Sequence, residues 1–269
     1  MLRRYLSYIC FACRSCMKRA LLFIIPFFFI LISTCVHGQT TLFDETRIIY
    51  KKEMVGGLIL HGDGWGLNFA VGKHKTAKSR RMLQVEVVSM KHPKEVKSFN
   101  PYYEDSRGYF YGKTNSFHIL RPTYGKKHQL TDKLRKSGVE VNYIWAIGPS
   151  LGFSKPIYLE IGKPGLPYEY IVVERYDPEV HFIDDIFGRA SWFEGLGEMK
   201  FHPGLYAQLG LNFEYSGKRR GIKALEAGMS IDVFAEEVPI MAEVEGVNNK
   251  QFYFEFYVAI KYGKKYNPR

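Results

Sequence analysis

Several residues in this chain have types and spacings that could do chemistry. His61 and Asp63 flank a glycine in "HGDGWG", Ser116 and His118 flank a phenylalanine in "NSFHIL", and Ser150 and Ser154 lie in "GPSLGFSK". A serine, a histidine and an acid at one level would make a nucleophile with its base and orienting group. A lone histidine inside a barrel is more often a hydrogen-bonded filler. Sequence gives depth along a strand but no lateral neighbourhood, so no catalytic residue is assigned. Two other sets resemble metal ligands. Cys10, Cys13 and Cys16 spell CxxCxxC without a fourth ligand nearby, and His181, Asp184 and Asp185 cluster in "HFIDDIFG". The first precedes a segment expected to be removed, and the second reads as solvated acids. No metal and no cofactor is expected.

The elements that must position these groups begin after a leader. Arg3, Arg4, Arg14, Lys18 and Arg19 precede "ALLFIIPFFFILIS", an apolar run over 20–33, and then comes "TCVHGQT". That run is shorter than the roughly 20 residues a membrane-spanning helix needs. Residues 1–38 therefore read as a secretory signal cut between Gly38 and Gln39. Translation from Met17 would give a more conventional signal, and "LISTC" resembles a lipobox with a poor Thr34 before Cys35. After the cut no cysteine remains, which excludes disulfides and thiol chemistry from the mature chain. Residues 39–53 are expected to be a periplasmic lead and 264–269 a periplasmic tail.

Between them, period-two alternation bounded by turn residues marks eight segments, near 54–61, 64–73, 81–90, 115–125, 138–155, 203–216, 222–235 and 250–263. In "GVEVNYIWAIGPSLGFSK" the residues Val139, Val141, Tyr143, Trp145 and Ile147 oppose Glu140, Asn142, Ala146, Gly148 and Ser150. The last segment, "QFYFEFYVAIKYG", puts Phe252, Phe254, Phe256, Val258, Ile260 and Tyr262 on one face. The polar faces hold small residues, amides and isolated acids, as a narrow eight-stranded lumen requires. With no internal run long enough for a spanning helix, a membrane-crossing structure must be a closed barrel. The fold expected is all-β: an eight-stranded antiparallel up-and-down transmembrane barrel over 54–263, with the Phe252–Tyr262 face toward lipid.

The connections alternate as that topology demands. Short turns "KHKTAKS", "GKKHQLTDKLRKS" and "GKRRG" alternate with a tight "GD" turn and with outer loops 91–114, 156–202 and 236–249. Charge follows the same division. Residues 73–81, 126–136, 217–223 and 261–269 hold 18 Lys or Arg against the single acid Asp132, whereas 156–202 holds nine acids and four bases. The formal charge of +11 is thus no uniform field, and part of it leaves with the signal. Lys126, Lys127, Lys218, Arg219 and Arg220 are read as a basic inner rim beside phospholipid headgroups. Export argues against nucleic acid, the other usual partner of a basic chain. The interior acids Glu86, Glu140, Glu214, Glu226, Asp232 and Glu255 need partners, because unpaired buried charge is costly. Lys261 shares their face. A salt-bridged plug is the structural reading and a cation-preferring pore the functional one.

The long loop 156–202 carries Tyr168, Tyr170, Tyr176, Phe187, Trp192 and Phe193 among acids, which suits a surface that docks a protein partner. Within it "DPEVHFIDDIFG" reads as a short helix with Asp177 as N-cap and Gly188 at its end.

The stretches "GGLILHGDGWGLNFAVGK", "VEVVSMKHPKEVK", "YGKTNSFHILRPTYG" and "GVEVNYIWAIGPSLGFSKPIYLEI" resemble a family of uncharacterised outer-membrane β-barrel proteins of Bacteroidota. The resemblance covers nearly all the mature chain and implies an outer-membrane barrel with elaborated surface loops. It brings no catalytic motif. Expected partners are outer-membrane lipids, the barrel-insertion machinery during assembly, and a protein bound through the outer loops. The role expected is structural or interactive, as an accessory subunit of a larger outer-membrane assembly. The alternatives are a lipid-modifying enzyme and a small cation-preferring pore.

Overall fold

The computed structural model describes residues 50–131, 138–164, 166–215, 220–243 and 248–267. The expected signal 1–38 with its cysteines, residues 39–49 of the lead, and Lys218 and Arg219 lie outside the described residues.

The described chain forms β1 (Lys52–His61), β2 (Gly64–His74), β3 (Ser79–Met90), β4 (Lys97–Ser98), β5 (Tyr109–Phe110), β6 (Asn115–Thr131), β7 (Glu140–Pro156), β8 (Tyr158–Lys163), β9 (Tyr170–Arg175), β10 (Ile186–Arg189), β11 (Lys200–Glu214), β12 (Gly221–Val238) and β13 (Lys250–Tyr266). Eight of these close into a barrel in the order β1-β13-β12-β11-β7-β6-β3-β2. Every pairing is antiparallel, and the first and last strands zip together from Lys52↔Tyr266 to His61↔Tyr257. All eight expected segments are barrel strands. Alternation is the cause: in β3, Leu83, Val85 and Val87 are exposed on the outer wall while Met82, Gln84, Glu86 and Val88 are buried.

Several strands run further than their apolar pattern. β1 starts at Lys52, β6 continues through "KKHQLT" to Thr131, and β13 continues to Tyr266, so half of the expected tail 264–269 is strand. Ladder pairing carries them: Lys264 sits between Met54 and Gly221, and Lys265 opposes Glu53.

One end of the barrel carries short turns, and there Lys51 N donates to Asn267 Oδ1 at 2.8 Å. The other end carries the long connections, which are folded. β10-β8-β9 form a small sheet and β4 pairs with β5. Tyr109, Leu159, Ile161, Tyr176 and Ile186 are the core of this superstructure. The helix expected from Asp177 is absent. Asp177 caps a single turn, its Oδ1 accepting from Glu179 N (3.0 Å) and its carbonyl from His181 N (2.9 Å). A second turn would pull Ile186 out of the core, where it pairs with Ile161 as part of β10.

Candidate functional site

The lumen is filled in tiers. At the turn end Arg80 reaches from β3 to Glu53 on β1 and Glu140 on β7, both at 3.0 Å, and to Glu214 on β11 at 3.7 Å. Lys127 and Lys265 also engage Glu214, at 3.6 and 2.6 Å. In the middle Glu226 accepts from Lys261 (2.8 Å), Asn212 (3.0 Å) and Tyr257 (3.1 Å). Gly210 makes room for that tyrosine, since a Cβ there would stand 2.3 Å from its hydroxyl. Toward the loop end Arg121, 0% exposed, holds Asp232 through Nε and Nη2 at 3.1 and 2.5 Å, and lies over the Tyr206 ring at 4.5 Å. Ser150 adds a hydrogen bond to Asp232 at 2.6 Å, and His61 meets Glu255 at 3.0 Å.

Above this an apolar lid closes the mouth. Val88, Met90, Phe117, Phe234, Val238, Ile240 and Tyr253 pack together, and the segment bearing Ile240 is pinned by Asn249 Oδ1, which accepts from Ile240 N at 2.9 Å. A cavity among Gln84, Lys127, Asn212, Glu226 and Lys261 holds about 10 Å³, room for roughly one water. Such a lumen is a cross-braced plug.

The residues singled out for chemistry are dispersed. Ser116 and His118 alternate with the buried Phe117 and Ile119 and so face the outer wall. Trp192 stacks edge-on against His118 at 6.4 Å, and Lys155 beside it donates to the carbonyls of Trp192 and Glu194, both at 3.0 Å. A strap around residues 190–198 therefore crosses this wall. Ser154 does meet a histidine, His202 at 2.9 Å, but both are buried under the lid. Among the described residues no carboxylate hydrogen-bonds His202, so the pair lacks an orienting acid and a path for lipid. His181 contacts Glu174 (3.2 Å) and the N–H of Asp177 (3.1 Å), while Asp185 receives Phe182 N and Asp184 offers its backbone carbonyl to Tyr168. These three do not converge on a cation site.

The proposed contact aromatics also separate. Tyr176 is buried, with its hydroxyl accepting from Gly112 N at 3.1 Å, and belongs to the core and not to a surface. Tyr168 stacks on Tyr103 at 5.0 Å and Phe187 packs edge-on to the same ring at 5.7 Å, so both mainly hold loop 91–114 to the small sheet. Tyr170, Trp192 and Phe193 are exposed, Phe193 at 73%. Phe252, Phe254, Phe256, Val258, Ile260 and Tyr262 all lie exposed on the outer wall. Of the basic rim, Lys126 lies on the outer wall beside Trp145 and Arg220 is exposed, but Lys127 is a buried lumen cation. The acids inside the barrel require it there.

Glu174 makes the superstructure sensitive to acid. The hydrogen bond from Lys163 holds its carboxyl below the ordinary value of 4.5, and His181 adds to this. A depressed carboxylate stabilises fully above 4.5, and the stabilisation disappears as pH falls through the lower folded value. Protection of the β8 and β9 amides, corrected for intrinsic exchange, should fall below that point, and by less in high salt, which screens the partly exposed pair. The β3 amides should not respond. Glu174→Gln should abolish the acid step; its persistence in that variant would refute the assignment.

No family model matches the chain and no curated protein matches it, which leaves the resemblance to Bacteroidota barrels without further support. Three solved structures are similar in outline. Ail, the attachment invasion locus protein of Yersinia pestis, is 8% identical with a TM-score of 0.40, over 81% of this chain and 100% of that one. Neisserial surface protein A is 8% identical with a TM-score of 0.38, over 80% and 96%. The N-terminal β-barrel domain of Pseudomonas aeruginosa OprF is 7% identical with a TM-score of 0.32, over 81% and 98%. The barrel itself rests on the strand pairing above.

Proposed function

We propose that this chain is a bacterial outer-membrane β-barrel with a structural or protein-interaction role, serving as an accessory subunit of a larger outer-membrane assembly. The observation that carries the reading is the division of labour in the molecule. The outer wall carries an apolar band between polar ends, the lumen is plugged, and the elaborated structure sits at one end. An exposed apolar band around a closed barrel suits lipid, where each backbone group is satisfied by the ladder. A lumen crossed by buried ion pairs at three levels does not suit conduction. The Ser154–His202 pair does not suit lipid chemistry, because it faces inward. What remains for function is the loop end, with the exposed Tyr170, Trp192 and Phe193. The barrel would reach the membrane through the periplasm and the insertion machinery, with Lys126 and Arg220 near the inner headgroups.

The test is to tag the mature chain in its native host, extract it in mild detergent, and identify stoichiometric companions. Companions should be present, and deletion of 165–200 should remove them while the barrel keeps its heat-dependent gel shift. Companions that persist without 165–200 would sink the reading, as would steady single-channel conductance from the purified barrel.

A further inference from the structure

The small sheet β10-β8-β9 has two edges, and the chain treats them differently. The β10 edge is covered. Arg189 N donates to the Arg107 carbonyl at 3.2 Å, and Asn100 Nδ2 donates to the Ile186 carbonyl at 2.8 Å. The Arg107 backbone lies so close to Gly188 that a Cβ there would stand 2.9 Å from its carbonyl oxygen. β9 pairs only with β8, and its Tyr170, Ile171, Val173 and Arg175 are exposed.

Which backbone groups face outward follows from register. Tyr176 N donates to the Ile157 carbonyl at 2.8 Å, which makes Ile157–Tyr176 a hydrogen-bonded pair. Such pairs alternate along an antiparallel ladder. Leu159–Glu174 and Ile161–Val172 are then bonded, and Ile171, Val173 and Arg175 turn their N–H and C=O groups away from β8. Their side chains share the exposed face, with Ile171 and Val173 each 46% exposed. Native edges are usually blunted by proline, lysine, a bulge or a covering segment. "YIVVER" has no such device over Tyr170–Val173, and its β-branched residues favour further pairing.

The surroundings select the occupant. Residues 156–202 hold nine acids and four Lys or Arg. Two of those bases are already engaged, Lys163 with Glu174 and Arg175 with Glu198. A second copy of this acidic loop would meet like charge. An extended segment alternating apolar and basic side chains would meet opposite charge.

We infer that the free edge of β9 is a strand-addition site that takes an extended, basic segment of a protein partner as the fourth strand of the β10-β8-β9 sheet. The inference rests on the proposed interaction role and specifies its mode: main-chain pairing along Ile171–Arg175 gives affinity, and charge gives selectivity.

The test uses the full mature chain in neutral phosphatidylcholine nanodiscs and two acetylated peptides of about ten residues, one alternating Lys with Val and one alternating Glu with Val. The basic peptide should bind, should slow exchange of the Ile171 and Val173 amides, and should compete far better than the acidic one. Val173→Pro removes an outward N–H without touching the β8 ladder, and should weaken binding by about tenfold or more. Val173→Thr, which keeps the backbone donor, should bind as the parent does. Retained protection of the Leu159 and Ile161 amides shows that the sheet survives in Val173→Pro. If it does not survive, Ile171→Lys with Val173→Lys applies the same test through like charge.

Binding that ignores these edge variants, or absence of binding by the basic peptide, would overturn the inference. So would protection of Ile171 and Val173 in a concentration-dependent dimer without peptide. In the native-host experiment, companions lost on deleting 165–200 but kept by Val173→Pro would leave the interaction role standing and the strand-addition mode refuted. Companions lost in neither would refute the role itself.

Discussion

Replacing Arg121 with alanine should destabilise the barrel by about 3–5 kcal/mol, the cost of leaving buried carboxylates without their cation. The guanidinium is fully buried and makes a two-pronged contact with Asp232, and it lies 3.8 Å from Glu86. Its loss strands both acids, Glu86 at 0% and Asp232 at 1% exposed. Arg121→Met combined with Asp232→Leu should recover the share of the loss that Asp232 causes, because a buried ion pair contributes little over a well-packed apolar pair, while Glu86 keeps the hydrogen bonds from Asn68 and Tyr206. Urea unfolding of the parent and the two variants in detergent micelles decides the matter. A single variant as unstable as the double one would show that volume, and not charge, sets the cost.

The second large effect lies on the other face of the wall. Leu209, in the middle of β11 and 52% exposed, alternates with the buried Gln208 and Gly210. Leu209→Arg should cost about 2–4 kcal/mol for the barrel folded in a bilayer, the depth-dependent penalty of a charge facing lipid. Were this wall in water, the same change would stay within about 0.5 kcal/mol. Val180→Arg, at an exposed position of the superstructure, is the control and should change little. Folding equilibria in lipid vesicles of matched composition measure both. Equal, small effects would refute membrane insertion of the wall.

The barrel was legible because each wall strand repeats the same choice, apolar outward and small or polar inward, which is a period of two. Legibility stopped where that pattern stops. β6 runs six residues beyond Gly125 with charged or polar residues, so "KKHQLT" resembles a turn. That hid the fate of Lys126 and Lys127: neighbours in sequence, they project to opposite faces, one onto the wall and one into the lumen. The acids Glu86, Glu214 and Asp232 could be marked as needing cations, but the cations come from across the lumen. The strands of Arg121 and Asp232 are separated by β7 and β11. The loop sheet was invisible for a different reason. "YIVVER" is too short and too evenly apolar to show a period, and what makes it a strand is β8, already paired on its other side with β10. His118 gave no sign of its surroundings, because its covering residue, Trp192, belongs to the strap and comes from far along the chain.

The cross-lumen ties have a consequence for how the molecule forms and fails. Arg80 is shared by carboxylates on β1, β7 and β11, none of which is hydrogen-bonded to its own strand. A partly assembled sheet missing any of those strands would hold unmatched charge on its inner surface. Closure must then come as a single concerted event, and once closed the barrel has no cheap first step by which to unzip. Its endurance should be kinetic, set by a high barrier to opening, and its lifetime should greatly outlast what the equilibrium free energy alone would suggest.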